Sequence, residues 1–189
     1  MGKLRYSVIA SVDGFVCDDE GSFDWAMPDD QVHAFINDLE RSVGTYLYGR
    51  RMYETMRFWE APPDLDQEPA VFRDYAAVWA AATKVVYSTT LSDVDTARTR
   101  LVRTFDVAEV ARLKQATASD LSIGGPEIAS HALAAGLVDE IQIFLAPVVV
   151  GSGTHYLASR LPGMPRLDLD LLSVRRFDNG MTYQHYAIR

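Results

Sequence analysis

The apolar and polar positions of the chain fall into alternating strand and helix units. Leu4 to Ser11, rich in β-branched and aromatic residues, reads as a buried strand. It ends at the turn Val12-Asp13-Gly14-Phe15, and a polar loop follows through Asp18-Asp19-Glu20-Gly21 to Pro28. A loop of that length with no regular period is often functional. Val32, Phe35, Ile36, Leu39 and Val43 then recur at helical spacing, with Asp29 or Asp30 placed to cap the helix. Thr45 to Tyr48 is a second strand, ended by Gly49, and Arg50 to Met56 begins another helix. Pro62, Pro63 and Pro69 bracket an irregular acidic connection. Beyond it Val71, Phe72, Tyr75, Val78, Trp79 and Ala82 share one helical face. Lys84 to Tyr87 is a third strand emptying into Ser88-Thr89-Thr90, Leu101 to Thr104 a fourth, and Val107 to Gln115 a helix.

Asp120 to Ile123 reads as a further short strand, followed by Gly124-Gly125 and a helix marked by Ile128, Ala132 and Leu133 and closed by Gly136. Val138 to Pro147 is a long strand with Ile141, Ile143 and Leu145 on one face. The tail from Leu167 to Arg189 is a hairpin around Asn179-Gly180. Strand–helix units with an antiparallel ending predict one three-layer α/β/α domain over residues 1–189, with a mixed, mostly parallel central sheet. Ligands of such sheets bind at the carboxyl ends of the strands.

Composition narrows the class of partner. Net charge is −8, with 26 acidic against 18 basic residues, which argues against general affinity for nucleic acid or anionic membranes. No apolar run approaches the roughly 20 residues of a membrane span. The first residues enter a strand directly, so no signal peptide is expected. A single cysteine, Cys17, fits a reducing compartment, and the cytoplasm is the expected location.

The chemistry concentrates at strand ends. A strand running into Gly124-Gly125 and then a helix presents bare backbone N–H groups, a seat for phosphate, although any tight strand-to-helix turn has the same outline. Pro126 suits the first helical turn and Glu127 the positive end of the dipole. Neither a G-x-G-x-x-G fingerprint nor a P-loop is present, and no G-x-S-x-G elbow appears. His33, His131, His155, His185 and Cys17 lack metal-ligand spacing, so no metal is expected. Gly49-Arg50-Arg51, Ser88-Thr89-Thr90 and Gly124-Gly125 form three anion-binding candidates on one sheet edge, which suggests a dinucleotide.

Five stretches then make a recognisable series: Ser11-Val12-Asp13-Gly14-Phe15, Tyr48-Gly49-Arg50-Arg51-Met52-Tyr53-Glu54, Tyr87-Ser88, Ile123-Gly124-Gly125, and the run from Ala146 to Gly153. In this order the chain resembles the dihydrofolate reductase fold superfamily. Within it, the chain is similar to stand-alone relatives of the reductase domain of riboflavin-biosynthesis deaminase/reductases.

The resemblance implies NADPH stretched along the sheet edge. Gly124, Gly125 and the helix start Pro126, Glu127 and Ile128 would hold the pyrophosphate. Gly49, Arg50, Arg51, Ser88 and Thr89 would face the adenosine side. Ala10, Val12, Asp13 and Gly14 would lie against the nicotinamide, with Asp13 and Gly14 in a mobile loop. Asp30 is the nearest match to the acid that dihydrofolate reductases keep for the pterin, and a water is the other source of the proton. Trp25, Trp59 and Tyr156 are candidate pocket walls, or else core and loop packing.

The function expected is reduction of a small unsaturated heterocycle or carbonyl compound by NADPH. A non-catalytic dinucleotide-binding module and a ribosylamino-pyrimidine reductase of riboflavin synthesis are the alternatives. A homodimer is expected, because relatives pair through sheet edges and Met181 to Ile188 reads as an alternating, aromatic edge.

Overall fold

The computed structural model describes residues 2–63, 65, 67–157 and 165–189. Strand β1 (Leu4–Ser11) runs up the centre of the sheet and turns into the short β2 (Phe15–Cys17). A 3-10 turn at Asp24–Ala26 leads to helix α1 (Asp30–Glu40), whose cap is Asp29: its carboxylate accepts the Val32 N–H at 2.9 Å. Then follow β3 (Val43–Gly49), α2 (Arg50–Met56), a 3-10 turn at Arg57–Glu60, α3 (Ala70–Ala81) and β4 (Thr83–Tyr87). Next come β5 (Thr99–Val102), α4 (Val107–Ala116), β6 (Asp120–Gly124), α5 (Pro126–Ala134) and β7 (Glu140–Ala146). The short β8 (Thr154–His155) precedes the hairpin of β9 (Leu169–Arg176) and β10 (Thr182–Ile188).

The main sheet has eight strands in the order β5-β4-β3-β6-β1-β7-β10-β9. Pairing is parallel from β5 through β7, and β10 is antiparallel to both its neighbours. The three layers expected from the strand–helix alternation are therefore present. Helix α5 packs Ile128, Ala129, Ala132 and Leu133 onto one face, against Leu4, Leu47, Leu121, Ile123 and Ile141. The opposite face takes Tyr53 and Met56 of α2, Tyr75 and Trp79 of α3, and Val32 of α1. Leu4, Leu47, Leu121 and Ile123 are fully buried, each stabilising the fold by about 1.5–3 kcal/mol.

Three local expectations change. Residues after the first turn are not all loop, because Phe15 and Cys17 pair with His155 and Thr154 in a separate two-stranded ribbon. The strand after α5 is shorter than its apolar run: Leu137 and Val138 are buried in the connection and the ladder opens only at Glu140. Met181–Ile188 is not an edge. The chain folds back so that β10 is paired on both sides and β9 takes the outer position.

Candidate functional site

The sheet order arranges the strand ends in a line that the chain order hides. In space Ser88 after β4 lies beside Gly49 of β3, then Gly124 of β6, then β1, then Ala146 of β7. Gly49 is level with Tyr87, and Tyr48 with Gly124. The helices that leave β3 and β6 go to opposite faces, α2 to one and α5 to the other. The crevice between those strand ends is a topological switch point.

Gly124 and Gly125 are set by close approach. Gly125 has φ +106°, a conformation natural only to glycine, and stands just before α5. A Cβ there would lie 3.6 Å from the Gly49 nitrogen and 3.7 Å from Met52 Cβ, so the starts of α2 and α5 converge closely. Backbone N–H groups of adjacent helix starts are an anion seat, and Pro126 gives up no useful donor at the first position.

Beside this seat the sheet has a notch. Strand β1 pairs with β6 only through Leu4–Tyr6, whereas its pairing with β7 continues to Ser11. Where β6 turns away into Gly125, β1 runs on through Val8, Ile9 and Ala10 with that side of its ladder open. Ala10 is fully buried at this position.

The turn beyond the notch is tied to the loop after β7 by hydrogen bonds. Asp13, expected in a mobile loop, uses its carboxylate inside the protein: it accepts the Val150 N–H at 3.1 Å, the Gly151 N–H at 2.7 Å and the Ser11 hydroxyl at 2.6 Å. These donors hold the Asp13 carboxyl down at about 2, with the Ser11 hydroxyl the largest influence. Gly14 has φ +92°, and a Cβ there would meet His155 Nε2 at 2.3 Å. The Tyr156 N–H donates to the Gly14 carbonyl at 2.9 Å.

The remaining candidates are dispersed. Arg50 and Arg51 are exposed at the start of α2, and Arg50 pairs with Glu54 one turn on, at 3.0 Å. Ser88 is buried, and its Oγ accepts the N–H groups of Thr90 and Leu91, so it shapes the turn; Thr89 is exposed beside it. Asp30 is exposed in the first turn of α1. Trp25, Trp59 and Tyr156 do not form one wall. Trp25 packs with Ile9 and Ala146, Trp59 with Tyr53 and Tyr75, and Tyr156 lies on the α5 face of the sheet. Trp25 and Tyr156 lie nearer the β1 end: Trp25 shares a cluster with Ile9, the Tyr156 N–H donates to Gly14 just past the strand, and the Tyr156 carbonyl accepts the Tyr6 hydroxyl at 2.6 Å. The Trp25 indole Nε1 is buried without a hydrogen-bond partner among the described residues.

Sequence spacing did not give the partners of Asp13 or the surroundings of His33. Ser11 and the amides of Val150 and Gly151 meet Asp13 only through the pairing of β1 with β7. His33 is buried in an aromatic box of Trp59, Phe72 and Tyr75, with Nδ1 bonded to Asn37 at 3.0 Å. Burial lowers its pKa, as an unsolvated imidazolium requires.

A concavity of about 490 Å³ lies at the opposite, amino edge, beside Leu133–Gly136 and Arg189. It receives the carbonyl end of α5, where the dipole disfavours anions, so it is no rival for a dinucleotide. Among the described residues no three His, Cys, Asp or Glu side chains are grouped to hold a metal ion. None of their helices is long and apolar enough to cross a membrane.

Comparison with known proteins now places the chain. Residues 2–183 match the RibD C-terminal domain family. The chain belongs to that family. It is 24% identical over 180 residues to the uncharacterised protein YyaP of Bacillus subtilis (strain 168), covering 95% of this chain and 91% of that one. A putative riboflavin biosynthesis protein from Shewanella sp. PV-4 superposes with a TM-score of 0.76 at 20% identity, covering 99% of both chains. A pyrimidine reductase-like protein from Corynebacterium diphtheriae gives 0.72 at 13% identity, covering all of this chain and 92% of that one. The Thermotoga maritima deaminase/5-amino-6-(5-phosphoribosylamino)uracil reductase gives 0.68 at 14% identity, and there this chain spans 57% of the longer protein. These likenesses establish the dihydrofolate reductase-like fold of RibD C-terminal domains.

Proposed function

We propose that this RibD C-terminal domain protein is a cytoplasmic, NADPH-dependent reductase that transfers hydride to a small unsaturated heterocyclic or carbonyl substrate. The observation that carries the reading is the switch point itself. Gly49 and Gly125 bring the starts of α2 and α5 together, with Met52 and Ile128 packed beside them, and the stretch of β1 left unpaired by β6 continues from that seat. A dinucleotide has the same two parts, a polyanion and a flat ring.

NADPH bound there supplies the hydride, and the chain's residues do the rest. Gly124, Gly125 and the Pro126–Ile128 turn hold the pyrophosphate on backbone N–H groups. Gly49, Arg50 and Arg51, with Thr89 at the neighbouring strand end, face the adenosine 2′-phosphate. Ala10 and the Val12–Gly14 turn border the nicotinamide and exclude water from it. Trp25, on the α1 face beside Ile9 and Ala146, is the wall nearest the substrate side. Asp13 is ionised at neutral pH and does not deliver the proton, which leaves Asp30 or a water.

Fluorescence of NADPH titrated with the protein tests the reading, followed by loss of NADPH absorbance against a panel of pterins, quinones and ribosylamino-pyrimidines. Turnover on one class is the expected result. Binding without any turnover supports a dinucleotide-binding module instead, and absence of binding refutes the cofactor assignment. The pyrimidine arm carries extra interest because the Thermotoga neighbour is named for that reduction.

A further inference from the structure

The two loops that close over the end of β1 come from distant parts of the chain and are bound to each other at several points. The Asp13 carboxylate holds the Val150 and Gly151 amides, 137 and 138 residues away. Its third partner, Ser11, also accepts the Phe15 N–H on the same Oγ, at 2.9 Å. The Ser152 hydroxyl donates to Asp19, and the Phe15 ring meets His155 edge-on at 5.7 Å. Gly153 passes so close to the other loop that a Cβ would sit 2.0 Å from the Cys17 carbonyl oxygen. A carboxylate that accepts two amides and a hydroxyl is occupied on both oxygens. Such charge-assisted bonds are about twice as strong as neutral ones.

We propose that Asp13 is a positioning residue: its carboxylate cross-links the turn after β1 to the Val150-Gly151 turn after β7 and so holds a preset flap over the nicotinamide end of the cofactor edge. The proposal rests on the reading of the notch as the nicotinamide site. Both Asp13 oxygens are taken by protein donors, so the carboxylate acts on the nicotinamide end through its neighbours. It fixes Val12 and Gly14, and through the Gly14 carbonyl it also fixes Tyr156 on the other side of the notch. Asparagine at this position keeps the volume and one acceptor oxygen but turns a donor group toward either Gly151 or the Val150–Ser11 pair. The bonds then lose their charge and at least one amide loses its acceptor.

The test separates the flap from the rest of the edge by using two probes, NADPH and its adenosine fragment 2′,5′-ADP, which lacks the nicotinamide. Asp13→Asn should speed hydrogen exchange at the Val150 and Gly151 amides while the β3 and β6 amides stay protected. It should weaken NADPH by roughly tenfold or more and change 2′,5′-ADP by less than about twofold, since only the ring end is disturbed. Asp13→Glu, which keeps the charge, should restore part of the NADPH affinity. Retained protection at Val150 and Gly151 overturns the cross-link. Equal weakening of both probes, or unchanged NADPH affinity despite lost protection, overturns the flap's role. If wild-type protein binds neither probe, the cofactor reading fails, while hydrogen exchange still decides whether Asp13 braces the two loops.

Discussion

Replacing Glu40 by glutamine should stabilise the protein at neutral and alkaline pH and leave it nearly unchanged in mild acid. Glu40 ends α1 facing the sheet and is buried, with Oε2 lacking a hydrogen-bond partner among the described residues. The Tyr46 hydroxyl is near enough to ease its ionisation, yet neither atom closes a hydrogen bond of normal geometry. Burial pushes the Glu40 carboxyl up to about 7, against the relief offered by Tyr46 and the Arg5 guanidinium. The folded state therefore holds this proton more tightly than the unfolded chain, whose glutamate titrates near 4.5. Stability from this group is full below about pH 4.5 and is lost progressively as pH rises through 7. The gap between the two values, at about 1.4 kcal/mol per pH unit, gives a cost of about 3 kcal/mol once both states are ionised. Glutamine has the same size and no charge, so in urea melts Glu40→Gln should gain stability over wild type at pH 8 and little at pH 5, the pH dependence of His33 being common to both. At this chain length about 3 kcal/mol corresponds to a Tm difference of about 6–12 °C at pH 8. A variant with the same pH dependence as wild type would show that Glu40 is ionised in the fold and that its burial is relieved by water.

Arg50→Ala should weaken NADPH by roughly one to two orders of magnitude more than NADH, as loss of a charge-assisted phosphate contact requires. Because Glu54 holds the same guanidinium, Glu54→Gln should tighten NADPH modestly; equal losses for both cofactors on Arg50→Ala would return Arg50 to the surface. Gly124→Ala should destabilise the fold by about 1–3 kcal/mol, since its Cβ would lie 2.9 Å from Met52 Cγ and 3.1 Å from the buried Tyr48 ring. Met52→Ala should recover part of that loss in denaturant melts, and full tolerance of Gly124→Ala would mean that the two elements part easily. A homodimer should form through β9, an outer strand with Leu171 and Val174 58% and 65% exposed. Light scattering should report twice 21.0 kDa for wild type and monomer for Leu171→Asp; monomeric wild type at micromolar concentration excludes the dimer.

The elements themselves were legible in the sequence because they are set by short-range physics. Leu4–Ser11 has the bounds that its pattern predicts, a helix starts at Arg50 as expected, and Gly136 closes α5 at φ +65°. The three strand-end turns were visible for the same reason, since glycines, hydroxyls and a proline act on their own backbone. Order in the sheet is a different matter. Nothing local says that Ser88, Gly49, Gly124 and Ser11 will stand in that sequence from one side of the sheet to the other, because the order follows from how each helix crosses between strands. The same long-range pairing makes β9 the outer strand instead of Met181–Ile188. It separates Trp59 from Trp25 and Tyr156, which share only an aromatic character in the sequence. Asp13 reads locally as a turn residue, and the amides it holds lie far along the chain. Its role is decided by the register of β1 against β7, where Ser11 meets Ala146 and carries the two loops within hydrogen-bond reach. Composition and periodicity thus determined which backbone groups would be exposed at strand ends, since those groups depend on neighbours a few residues away. Only the tertiary structure decided which of them face one another, because that depends on contacts whose entropy the whole core must repay.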